Sequence, residues 1–181
     1  MGRPTYVQVT EVGTRDGFQA EKEFIPTATK IQLINALIDA GVPRIEFSSF
    51  VSPRAIPQLA DVVDVLGGIN RTPDTRLAAL VPNPRGAAAA AASGVDEMVV
   101  FVSASESHNL KNVNRSIDES LSGVEEIMRI ASIDGVEVHG AVPTSFGCPF
   151  EGDVSVEALA RVVGHYHKMG MRHVSLGDTT G

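Results

Sequence analysis

The chain alternates short apolar runs with amphipathic helical stretches, and that alternation confines it to folds built on a parallel sheet. Runs rich in Val, Ile, Leu and Phe occupy residues 6–12, 44–50, 76–81, 97–103, 137–142 and 173–176. Helical spacing occupies 29–40, 58–66, 86–93, 116–131 and 155–169. In the first helix Ile31, Ile34, Leu37 and Ile38 recur on one face before Gly41, and Ser116-Ile117-Asp118-Glu119 has the form of a capping box. The repeat is about 30 residues, the size of one βα unit. The pattern predicts six strand–helix repeats with the last helix missing. Met98-Val99-Val100-Phe101-Val102 is apolar throughout, as suits a parallel strand covered on both faces.

An open doubly wound sheet and an eight-stranded barrel both fit such a pattern. No Gly-x-Gly-x-x-Gly follows any strand, so dinucleotide binding has no support. Polar residues instead gather at the C-terminal strand ends: Arg15 and Asp16; Glu46, Ser48 and Ser49; Asn83; Ser103 and Ser105; Thr144 and Ser145; Asp178 and Thr179. Barrels place their chemistry there. The expected fold is α/β, a TIM (β/α)8 barrel of which about six units are present. Residues 1–181 then form one partial barrel domain that lacks strands 7 and 8.

Composition narrows the partners. A net charge of −7 argues against nucleic acid, which requires a basic face, but is compatible with a small anionic substrate held by local cations. The longest smooth apolar run, 86–92, is far too short for a bilayer, so no membrane partner is expected. The single cysteine, Cys148, rules out an internal disulfide framework and fits a reducing compartment. With no apolar or Arg-rich leader at the N-terminus, the expected location is cytoplasmic.

Arg15-Asp16-Gly17 is the most suggestive triplet. A guanidinium can hold a carboxylate or enolate oxygen, and a neighbouring carboxylate can hold a metal or move a proton. The same triplet suits a salt-bridged turn with glycine at positive φ. Glu46 equally suits a strand-end ion pair, Cys148 a small buried apolar residue, and Asp178 a helix cap. Strand alternation aims Ser48 and Ser49 to opposite sides, with Ser48 the one satisfying backbone groups. Lys111 and Arg115 suit either phosphate contacts or a solvated face, and Asn112 and Asn114 a turn. His165 and His167 fall on a helix, where i and i+2 diverge by about 200°, so they cannot chelate one ion. His139 and His173 sit in or beside strands, and His108 lies in a loop with no assigned role.

Together the motifs resemble the hydroxymethylglutaryl-CoA lyase family, within the metal-dependent aldolase-type barrels. The resemblance rests on Val12-Gly13-Thr14-Arg15-Asp16-Gly17-Phe18-Gln19 with Glu21-Lys22, and on Ile45-Glu46-Phe47-Ser48-Ser49-Phe50-Val51-Ser52-Pro53. It continues through Val81-Pro82-Asn83, Ser103-Ala104-Ser105-Glu106, Lys111-Asn112-Val113-Asn114-Arg115-Ser116-Ile117, Gly147-Cys148-Pro149-Phe150-Glu151-Gly152 and Ser175-Leu176-Gly177-Asp178-Thr179-Thr180-Gly181. Thr14 stands where the lyases usually carry proline. The resemblance implies cleavage of 3-hydroxy-3-methylglutaryl-CoA to acetoacetate and acetyl-CoA, in leucine breakdown, with a divalent cation (Mg or Mn). It makes Asp16 the metal ligand and Arg15 the stabiliser of the enolate. Glu46 holds Arg15 and the substrate in place, while Gln19 and Ser49 contact substrate. Cys148 and Asp178 line the catalytic site. The remaining ligands, a His-x-His pair and an Asn, would lie beyond Gly181, so this chain alone is expected to be inactive. The whole enzyme is expected to be a homodimer acting on an acyl-CoA. A Claisen-type synthase joining acetyl-CoA to a 2-oxo acid, and a non-catalytic fragment, are the alternatives.

Overall fold

The computed structural model describes residues 3–181. Six parallel strands carry the fold: β1 (Thr10–Glu11), β2 (Arg44–Ser49), β3 (Arg76–Leu80), β4 (Glu97–Phe101), β5 (Glu137–Val142) and β8 (Val174–Leu176). Their order in the sheet is β1-β2-β3-β4-β5-β8 and never reverses. A doubly wound sheet needs a reversal at its switch point, whereas a barrel winds steadily one way. The sheet curls as an incomplete TIM barrel, as the sequence pattern predicted.

Helices α2 (Thr27–Asp39), α3 (Val62–Gly68), α4 (Pro84–Ser93), α6 (Ile117–Asp134) and α7 (Val156–Lys168) make the crossovers. Outward-facing Ile45, Leu77, Met98, Val100, Val138 and Val142 form the core with Ile34, Val65, Ala90, Ile127 and Tyr166. Local sequence fixes the ends of these helices. Asn83 caps α4 through Gly86 N at 3.0 Å, Pro84 opens it, and Gly94 closes it at φ +76. Ser116 and Glu119 complete the capping box of α6. Gly140 exists for packing, because a Cβ there would stand 2.5 Å from the Tyr166 ring.

The inner face carries a polar belt across five strands. Arg44 grips Glu97 with Nε (3.0 Å) and Nη2, and its Nη1 donates to Thr10 Oγ1 at 3.0 Å. His139 Nδ1 lies 3.4 Å from Glu97, and its Nε2 meets Ser175 Oγ at 2.7 Å. Nearer the strand starts, Arg76 pairs with Glu137 at 2.8 Å, and His173 lies 3.5 Å from the same carboxylate.

Four local expectations are revised. The first strand is confined to Thr10–Glu11, where β2 pairs with it; Tyr6, Val7 and Val9 are extended and exposed. Residues 13–17 wind into a π-helical turn (Gly13–Gly17) followed by a helical turn, α1 (Phe18–Ala20), and Gly17 has φ −64 rather than a positive value. His108 stands on a helix, α5 (Glu106–Val113), not in a loop. A small antiparallel hairpin, β6 (Gly147–Cys148) with β7 (Gly152–Asp153), rises after β5.

Candidate active site

The turn after β1 delivers two opposite charges to the barrel mouth. Val12 O accepts from both Arg15 N (3.0 Å) and Asp16 N (2.7 Å), winding the chain tightly. Thr14 is buried under the turn, with its hydroxyl 3.4 Å from Glu46 O. Arg15 Nε donates to Glu46 Oε1 at 2.6 Å and Nη1 to Asp16 Oδ1 at 2.5 Å. Nη2 has no protein partner among the described residues and remains available to a ligand. Asp16 is 61 % exposed at its side chain, while Glu46 is nearly enclosed at 7 %. Burial raises Glu46 above the usual carboxylate range, against the downward pull of Arg15 and Arg44.

A register shift in β2 supplies the next residue. Glu46 pairs with Ala78 but Ser48 already pairs with Ala79, so Phe47 is an extra residue. Strict alternation would separate Glu46 from Ser49, three positions on; the bulge returns Ser49 to the face of Glu46. Ser48 is buried outside the lining, but it is Ser49, not Ser48 as expected, whose hydroxyl donates to a backbone carbonyl, Leu80 O at 3.1 Å.

These groups open on a cavity of about 560 Å³. Arg15, Asp16, Gln19, Glu46 and Ser49 line it, with an apolar wall including Leu80, Val99, Phe101 and Ala141. Cys148 and Asp178 are not among its lining residues. The Cys148 thiol is buried against Ser105 Oγ at 2.9 Å, on the hairpin that docks through Glu151 onto the backbone of Ser107 in α5. Burial pushes that thiol up, but Ser105 and the backbone N–H groups of Phe150 and Glu151 bring it below the ordinary thiol value. Asp178 Oδ1 accepts from Gly181 N at 3.0 Å, shaping its own turn.

His108, given no role by the sequence, and Asn112, assigned there to a turn, both reach the same cavity from α5. A signal existed: Ser105 caps the helix through His108 N at 3.2 Å, and Asn114 ends it in the left-handed conformation at φ 52. His165 and His167 are on α7, as their spacing required.

Among the described residues no three His, Cys, Asp or Glu side chains converge as a cation site. Asp16 offers one hard oxygen donor, the type Mg2+ and Mn2+ select, and one carboxylate alone holds such an ion weakly. The chain therefore fits a divalent cation as a contributor of one ligand.

A curled parallel sheet with an Arg–carboxylate cluster over a cavity at its C-terminal edge defines a partial barrel of the (β/α)8 class with a candidate active site. The chain belongs to the HMGL-like family, whose model matches residues 6–181. It is 47% identical over 178 residues to the cytoplasmic 3-hydroxy-3-methylglutaryl-CoA lyase of Danio rerio, covering 98% of this chain and 53% of that one. The mitochondrial hydroxymethylglutaryl-CoA lyase of Bos taurus is 46% identical, over 98% of this chain and 55% of that one. An HMG-CoA lyase of Acinetobacter baumannii, solved with coenzyme A and 3-methylmalate, superposes with a TM-score of 0.91 at 42% identity, over 95% of this chain and 56% of that one. The chain thus spans about half the length of the curated relatives it matches. Family membership supports a divalent cation as cofactor. No described helix is long and apolar enough to cross a membrane.

Proposed function

We propose that the protein carrying this chain cleaves 3-hydroxy-3-methylglutaryl-CoA to acetoacetate and acetyl-CoA. The observation that carries the proposal is the Arg15 guanidinium, braced by Glu46 and Asp16, with Nη2 free at the cavity. In such a cleavage a base takes the proton of the tertiary hydroxyl, the carbon–carbon bond breaks, and the acetyl-CoA part leaves as an enolate that is then protonated. Arg15 suits the stabilisation of that enolate oxygen, because a guanidinium already aimed by two carboxylates reorganises little as charge develops. Glu46 positions Arg15, and Gln19 and Ser49 orient the acyl group. A divalent cation, Mg2+ or Mn2+, with Asp16 as its ligand from this chain, would polarise the substrate hydroxyl and carboxylate when bound. Cys148 and Asp178 belong to the proposal as residues beside the mouth, Cys148 through Ser105 and α5. An acyl-CoA substrate is supported by the coenzyme A complex of the Acinetobacter relative. A homodimeric whole enzyme and a cytoplasmic location complete the proposal, although the named relatives include both cytoplasmic and mitochondrial forms.

The test is turnover of 3-hydroxy-3-methylglutaryl-CoA by the protein carrying this sequence, with acetoacetate as the readout. Acetoacetate should form only with Mg2+ or Mn2+ present, and Arg15→Gln should lower the rate about 100- to 1000-fold, the usual cost of removing a donor to a developing oxyanion. Absence of acetoacetate, with condensation of acetyl-CoA onto a 2-oxo acid instead, would assign a synthase.

A further inference from the structure

His108 is the one imidazole lining the cavity that holds Arg15, and it arrives from the helix that follows β4, two strands further round the sheet than β2. Its Nδ1 is fixed to Ser103 Oγ at 2.7 Å, and Ser103 is fully buried at the end of β4. The backbone beneath it is anchored twice. Ser105 caps the helix, and Asn109, also fully buried, accepts from Ser103 N at 3.1 Å and donates to Arg115 O and Ser120 Oγ. The ring lies 6.1 Å from that of Phe150, whose face is covered by Lys111 Nζ at 3.7 Å. Nε2 has no hydrogen-bond partner among the described residues. No enclosed side-chain nitrogen there lacks a partner, so Nε2 is open. A ring with one nitrogen fixed and the other free at a cavity is built as a ligand contact.

We propose that His108 is a specificity-determining residue, with Nε2 hydrogen-bonding a polar oxygen of the acyl-CoA bound in this cavity. The inference rests on the acyl-CoA reading given above. Burial lowers the histidine's basicity, so the contact is made by the neutral ring at pH 7. The charged groups around it are Lys111 on its own helix, Glu151 on the hairpin, and Arg15, Asp16 and Glu46 on the other wall. In this contact Nδ1 accepts from the Ser103 hydroxyl, so the neutral ring carries its proton on Nε2 and donates it, making Ser103 a positioning residue.

The experiment follows the imidazole 15N signals of the 181-residue chain during titration with acetyl-CoA, with His139, His165, His167 and His173 as internal references. The His108 Nε2 signal should move while those four stay. His108→Phe should weaken acetyl-CoA binding about 3- to 10-fold, the worth of one neutral hydrogen bond. His108→Gln, whose amide nitrogen reaches the position of Nε2, should restore most of it. If acetyl-CoA binds and Arg15→Gln weakens it while the His108 signal is still and His108→Phe binds normally, the inference is overturned and the acyl-CoA reading survives. If acetyl-CoA does not bind the chain at all, the inference is overturned, and turnover by the protein carrying this sequence decides the acyl-CoA reading separately.

Discussion

Arg15 is aimed rather than merely present. Its Nε–Glu46 bond at 2.6 Å is made largely out of water, so Glu46 must be ionised for the guanidinium to hold its direction. Glu46 titrates above the ordinary carboxylate value of 4.5, with burial the dominant cause. The acid limb of the pH–rate profile should therefore begin above that value, and Glu46→Gln should remove the limb while lowering the plateau. A profile measured on both proteins checks this. The carboxylate beside the arginine was readable in the linear sequence, since Arg15-Asp16 sits at the end of a strand. The carboxylate that orients it was readable from the residues alone only as a polar strand end, because nothing local joins residue 15 to residue 46; its pairing with Arg15 came from the family resemblance. Ser49 was reachable only in part: strict alternation assigns it the face opposite to Glu46, and only the extra residue Phe47 brings the two together.

Elements were legible where their signals were local. Residues 137–142 form β5 as expected, and α4 and α6 carry the caps their sequences advertise. Helix α5 was missed because its polar residues give little apolar periodicity, and its buried partner Asn109 is an amide, not a hydrocarbon. The hairpin was missed because strands of two residues carry no period at all. Helix α7 packs against the sheet at Gly140, beneath Tyr166, whose hydroxyl donates to Ala141 O at 3.1 Å. Burial raises that phenol well above its usual value, so it stays protonated and donating. Gly140→Ala forces the ring away and should cost about 1–3 kcal/mol of stability by overpacking, measurable by urea denaturation. Ser116→Ala removes the cap of α6 and should cost about 1 kcal/mol in the same assay.

At the scale of the whole molecule, the belt of Thr10, Arg44, Glu97, His139 and Ser175 joins five of the six parallel strands through side chains alone. Burial, with Arg44 beside it, lowers the pKa of His139 from 6.5, while Glu97 and Glu137 act the other way. The unfolded chain then takes up a proton that the folded chain resists, so stability is full above 6.5 and declines as pH falls below it. Urea midpoints at pH 7.5 and 5.5 should differ, and His139→Gln should narrow the difference. Glu97→Gln strands the Arg44 charge and should cost about 3 kcal/mol or more. The winding order was visible in the repeats, but the belt was not, because its members are far apart in sequence and none is apolar. The steady winding also bears on how quickly each part forms. Within the six-stranded sheet Ala78 pairs with Glu97 across the shortest sequence separation, whereas Glu97 pairs with Glu137 and Arg44 with Thr10 across longer stretches. Closing a short loop costs less entropy than closing a long one. The β3–α4–β4 unit should therefore gain amide protection first in pulsed hydrogen exchange, ahead of β1, leaving Arg15 among the last groups to reach its place.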